Sequence, residues 1–121
     1  MLYDEFVNKV ISEDSRNVFG KVTDNANLPD DSFPELYKYY DPIDVEFEFN
    51  SGIIHLAPFS EIAELQNEYS YVNADCVFAT CNGDPIFIKD GKVFTCLHGT
   101  AKVIYEELAS SFDEFINEII R

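Results

Sequence analysis

The sequence predicts an α+β domain in which helices pack on one antiparallel sheet. Three observations lead there. From Cys76 to His98, two turn pairs, Asn82-Gly83 and Asp90-Gly91, divide a run rich in β-branched and aromatic residues into three strands. In Val45-Glu46-Phe47-Glu48-Phe49, apolar and acidic residues alternate strictly, which marks a strand buried on one face. Near both ends of the chain, apolar residues recur at the three- and four-residue spacing of a helix stripe. The expected layout is a hairpin over 44–57, a meander over 76–98, and helices near 2–14, 33–40, 61–69 and 112–120, all within a single domain spanning 1–121.

The first helix follows from Tyr3, Phe6, Val7, Val10 and Ile11 on one face, with Asp4, Glu5, Asn8 and Lys9 on the other. Asn17 to Asn27 has no period and reads as loop. Leu28-Pro29 leads into a second helix, which Ser32 would cap and whose first turn tolerates Pro34. Phe33, Leu36, Tyr37 and Tyr40 form its stripe, and Asp41-Pro42 should stop it.

A two-residue turn at Ser51-Gly52 then sets Phe49 opposite Ile54 and Phe47 opposite Leu56, with Glu48 beside His55 on the wet face. A three-residue loop would mix apolar and acidic residues on each face, so the two-residue register is preferred. Ser60 would cap a third helix with Ile62, Leu65 and Tyr69 inward and Glu61, Glu64 and Glu68 outward. In the meander, Ala79 should face Ile86, Phe78 face Phe87, and Phe87 face Phe94. This register puts Phe78, Phe87 and Phe94 in one row, either under a helix or as an exposed aromatic strip. Lys102 to Glu107 reads equally as a short strand or an extended connection. Ser111 and Glu114 form a capping box for the last helix, whose inner face is Phe112, Phe115, Ile116, Ile119 and Ile120.

Charge narrows the functional classes. Against 23 acidic residues stand 8 basic ones, a formal charge of −15. Nucleic acid and anionic lipid both require a basic footprint, so neither is expected as a partner; a basic protein is. The outward carboxylates of the hairpin and the third helix, Asp44, Glu46, Glu48, Glu61, Glu64 and Glu68, are the candidate partner-binding residues. No apolar run approaches the ~20 residues of a membrane span. The first residues, Met1 to Glu5, lack the basic and apolar regions of a secretory signal. Three cysteines with no sign of export read as reduced thiols in a cytoplasmic protein.

Catalytic and metal readings fail on spacing. Cys76, Cys81, Cys96 and His98 lack the paired spacing of structural zinc sites, and the meander register puts Cys81 on the face opposite Cys96 and His98. Cys76 would share a face with Cys96, about 13 Å away along the strands. Cys96 and His98 have Cα atoms nearly 7 Å apart on one strand face (two residues at ~3.3 Å each), beyond routine hydrogen bonding. Asn82-Gly83-Asp84 joins two strands and opens no helix, so it lacks the amide cluster that phosphate needs. No catalytic residue, cofactor or metal is expected.

Several short motifs nonetheless stand in a familiar order. They are Leu28-Pro29 before a helix, Phe78-Ala79 before Asn82-Gly83-Asp84-Pro85, Gly91-Lys92-Val93-Phe94, His98-Gly99, and Leu108-Ala109-Ser110-Ser111-Phe112 with Phe115. From about Leu28 to Glu118 the chain resembles the SUKH superfamily, which includes the yeast cell-wall-synthesis regulator and many immunity proteins of bacterial polymorphic toxin systems. Two departures are plain: Tyr40-Asp41-Pro42 stands where many relatives carry a Gly-Gly pair, and no tryptophan is present. The resemblance implies an α+β fold and a non-catalytic, protein-binding role, typically the neutralisation of a cognate toxin. Such toxins are often nucleases. It carries over no catalytic or binding residue individually. A regulatory or ligand-sensing module without a toxin is the alternative, and a small hydrolase the remote one; a toxin-like gene beside this one would favour immunity.

Overall fold

In the computed structural model, which describes residues 1–22, 28–29, 31–97 and 103–121, seven strands pair in strict chain order into one antiparallel sheet. They are β1 (Val18–Lys21), β2 (Tyr40–Phe49), β3 (Gly52–Leu56), β4 (Cys76–Cys81), β5 (Asp84–Lys89), β6 (Lys92–Thr95) and β7 (Glu106–Ala109). Three helices accompany them: α1 (Leu2–Glu13), α2 (Ile62–Glu68) and α3 (Phe112–Ile120). The α+β class holds.

The main core lies between the sheet and the pair α1–α3. Tyr3, Phe6, Val7 and Val10 of α1 and Phe112, Phe115, Ile116 and Ile119 of α3 pack on Val45, Phe47, Ile54, Leu56, Ile86 and Val93. Ile11, expected on this stripe, is 38% exposed and outside the core. The capping box is half made: Ser111 Oγ accepts from the Glu114 amide at 3.1 Å, while the Glu114 carboxylate turns instead to Arg121. Hydroxyls tie the layers together. The Tyr3 hydroxyl donates to Asp113, joining α1 to α3, and that of Tyr40 donates to Asp4, joining β2 to α1. Burial first, then the bond to Asp113, raises the Tyr3 phenol well above its ordinary range.

The opposite, outer face carries a smaller cluster of Val72, Val77, Phe87 and Cys96, with Leu65, Tyr69 and Phe94 packed against it. The chain reaches it through α2, which sends Ile62 to the main core and Leu65 to both, with Tyr69 just past its end on the outer cluster. The expected row of rings is therefore split. Val77 pairs with Phe87 and Ala79 with Ile86, so Phe78 is the extra residue of a β-bulge. The bulge turns Phe78 onto the main core, against Phe112 and Phe115 at 5.4 and 6.0 Å between ring centroids. Phe87 and Phe94 stay together on the outer side, 6.1 Å apart, beneath Tyr105. The same bulge separates Cys76, in the main core, from Cys96, in the outer cluster; the two do not share a face.

Other expectations change at the chain's middle. The helix expected over 33–40 is only a 3-10 turn at Glu35–Lys38, preceded by Pro34 in extended conformation. Tyr40 to Asp44 continue into β2, because Val18–Lys21, expected as loop, offers them a pairing strand. Pairing outweighs the weak helical stripe, a tertiary override of local preference. The expected hairpin thus starts at Tyr40 and its turn shifts. Asn50 and Ser51, with φ of 49° and 67°, make the turn, so Phe49 faces Gly52, Phe47 faces Ile54 and Glu46 faces His55. Two positive φ values in a two-residue turn are the type I′ pattern that matches strand twist. The slip is two residues, so each side chain keeps its expected face. Ser60 caps nothing; it lies in a 3-10 turn, Phe59–Glu61, that precedes α2. The ambiguous stretch ends as β7 from Glu106, and His98 lies outside the described residues.

Gly52 is needed for space and not for its backbone angles. A Cβ there would stand 2.6 Å from Cys81 Sγ. Gly52→Ala should lower stability by about 1 kcal/mol through overpacking, as read by urea unfolding. On a Cys81→Ala background the penalty should largely vanish; a penalty that persists would place the clash elsewhere.

Candidate acidic interface

Strand alternation builds the floor of the site. With Phe47 committed to the core, Glu46 and Glu48 point to the outer face. Pairing then sets Glu46 opposite His55, Glu48 opposite Ile53, and His55 opposite Thr80 of β4. His55 therefore neighbours Glu46, two residues from the expected Glu48. The wall is α2 and the turn before it: Glu64, Leu65 and Glu68 of the helix, with Glu61 of the turn, face His55 and Thr80 across a groove of about 410 Å³. The two acidic surfaces that chain order brought close are thus on one side of the sheet. Asp44 extends the row along β2, and all six of these carboxylate residues are exposed.

Little positive charge offsets them. Among the described residues, none of Glu48, Glu61, Glu64 and Glu68 pairs with a cation. Arg16 stands near the Asp44 end, with its fork closed on Asp14 at 3.0 and 2.8 Å. Those hydrogen bonds hold the Asp14 carboxyl down at about 2. Arg16 is pushed up in turn, first by Asp14 and more weakly by Glu46 and Asp44.

Apolar islands interrupt the carboxylates, and sequence reasoning missed them. Ile53 is 43% exposed beside Glu48. Ile43 is 54% exposed and lies over Gly20, whose Cβ position is 3.0 Å from Ile43 Cδ1. Since Phe19 points into the core, Gly20 and Ile43 belong to the outer face. The adjacent Ile53-Ile54 pair was the available signal: on a strand one of the two must face water. Apolar centres ringed by charge are the usual anatomy of a protein interface.

Among the described residues no three His, Cys, Asp or Glu side chains are grouped so as to hold a metal ion. No described helix is long and apolar enough to cross a membrane. None of the three cysteines is in a disulfide; Cys76 and Cys96 are buried and Cys81 is half-buried. Burial, then Asp84, raises the thiols of Cys81 and Cys96. All three thiols should react with a disulfide reagent once the chain is denatured without reductant, whereas in the native protein only Cys81 should react readily. A single reactive thiol in the denatured chain would overturn this reading. Comparison with protein-family models, curated proteins and solved structures finds no match.

Proposed function

We propose that this chain is a non-catalytic binding domain that captures a basic protein, acting as an immunity protein for a cognate toxin. One observation carries the reading. Carboxylates of β2 and of the α2 region lie on one side of the sheet: Glu46 is paired with His55, which lines the α2 groove, and Glu48 with the exposed Ile53. Surplus charge of one sign steers an oppositely charged partner and fixes its orientation, while the apolar contacts hold it. A nuclease toxin, basic because it must grip nucleic acid, fits such a surface. The SUKH-like motif order supports the same reading.

The test is association with the product of a neighbouring toxin-like gene. Glu46→Lys with Glu48→Lys should slow binding by about tenfold or more at low salt and leave the fold intact, since both side chains are solvated. Charge steering is screened beyond about 8 Å at physiological ionic strength, so added salt should slow the native protein more than the variant. An association rate indifferent to salt would rule the mechanism out.

A further inference from the structure

β2 is longer than either neighbour can cover. β1 pairs with it only from Tyr40 to Asp44, and β3 takes the other side from Val45 to Phe49. In a two-residue hairpin the residues flanking the turn exchange hydrogen bonds, and the pattern repeats every second residue. Phe49, Phe47 and Val45 therefore bond to β3, while the backbone groups of Glu46 and Glu48 point to the side that β1 has already left. Asn17 Oδ1 takes one of them, the Glu46 amide, at 2.8 Å. Among the described residues no group takes the Glu46 carbonyl or the Glu48 amide and carbonyl. This bare edge borders an open cleft of about 700 Å³, in which Val10, Phe47 and Ile119 supply apolar lining and Glu46 and Glu48 acidic lining. The cleft's three cations, Lys9, Arg16 and Arg121, are each paired with another carboxylate, that of Glu13, Asp14 and Glu114 in turn.

We infer that this edge receives an extended segment of the partner protein as an added antiparallel strand, continuing the line of β1. The inference rests on the binding role proposed above and specifies how the partner is held. A second copy of this chain is a poor occupant, because edge-to-edge pairing would bring Glu46 and Glu48 against their own copies, the charge that keeps natural edges from self-pairing. A basic segment suits the same charges. An antiparallel strand sets side chains of directly paired residues on a common face. The segment would thus alternate lysine or arginine, beside Glu46 and Glu48, with apolar residues turned toward Phe47 and Ile119. Backbone bonds would supply affinity and the alternation specificity, as in other strand-addition complexes.

Three synthetic peptides, each acetylated, amidated and of sequence Lys-Val-Lys-Val-Lys, test this against the intact chain. One is unmodified, one is N-methylated at its lysines and one at its valines. Residues paired with Glu48 donate their own amides to β2, so methylating the lysines should weaken binding about tenfold, the loss of one to two backbone hydrogen bonds. Methylating the valines, whose amides face away, should change little. Amide shifts of the protein should centre on Glu46 to Phe49. Equal, salt-sensitive binding by all three peptides would overturn strand addition and leave acidic capture standing. Lysine-methyl-sensitive binding that ignores both salt and the double variant E46Q/E48Q would keep the added strand and sink the charge reading. Binding by none of the peptides would overturn the inference.

Discussion

Replacing Phe115 by alanine is expected to cost about 3–5 kcal/mol, the range for deleting a fully buried ring. The ring has no exposure and sits where the layers meet. Its centroid lies 5.4 Å from Phe49 of β2, 6.0 Å from Phe78 of β4 and 6.4 Å from Phe112 one turn earlier. Alanine would leave a void bounded by three rings on three elements. Small domains are stable by about 5–15 kcal/mol, so a measurable fraction of the variant would be unfolded at moderate urea. Glu64→Ala, on the outer face of α2, should stay within about half a kilocalorie per mole. Urea midpoints for the pair decide the matter: similar shifts would mean that the assigned helix faces are wrong.

The second large effect is expected at Asn17, a buried polar side chain with 7% exposure. Its Nδ2 donates to the Val10 carbonyl at 3.0 Å, capping the end of α1, and its Oδ1 accepts from the Glu46 amide. Alanine would strand the Glu46 amide and take one of two donors from the Val10 carbonyl, which keeps the Asp14 amide at 3.1 Å. A buried unsatisfied group costs roughly 1–3 kcal/mol, so Asn17→Ala should lose about 1–3 kcal/mol. Asn17→Asp should not restore stability, because a carboxylate would face the Val10 carbonyl. Hydrogen exchange at the Glu46 amide should quicken in Asn17→Ala and stay slow in Asn17→Asp, whose carboxylate still accepts from that amide. An unchanged exchange rate with unchanged stability would show that the bridge contributes nothing.

Which parts were legible follows from how local their causes are. The turns at Asn82-Gly83 and Asp90-Gly91 and the Ser111 cap each depend on two to four adjacent residues, and all three are in place. The outward glutamates were legible because alternation around Phe47 settles them. β1 was not: four residues with one inward ring, Phe19, carry too little period to announce a strand. Its absence from the reading then made Tyr40 look like the end of a helix. The Phe78 bulge was equally hidden, since nothing in Cys76 to Cys81 distinguishes one extra residue from regular alternation. At Ser51-Gly52 the glycine misled: turns favour it, yet here it makes room for Cys81, and Asn50 takes the positive φ instead. The acidic groove required α2 to land on the outer side, a tertiary fact that chain order alone does not contain.

A sheet laid down in strict chain order has a consequence for synthesis on the ribosome. Every ladder joins a strand to the one made just before it, so pairing can keep pace with the emerging chain. α1 is the exception. Phe6 gains Phe19 and Phe47 as soon as β2 forms, but Tyr3 waits for Phe112 and Asp113, 110 residues later in the case of its hydrogen bond. Until α3 emerges, Tyr3 has only the Tyr39 ring beside it and Phe78 lacks Phe112 and Phe115, so part of the core stays open for a time set by translation speed.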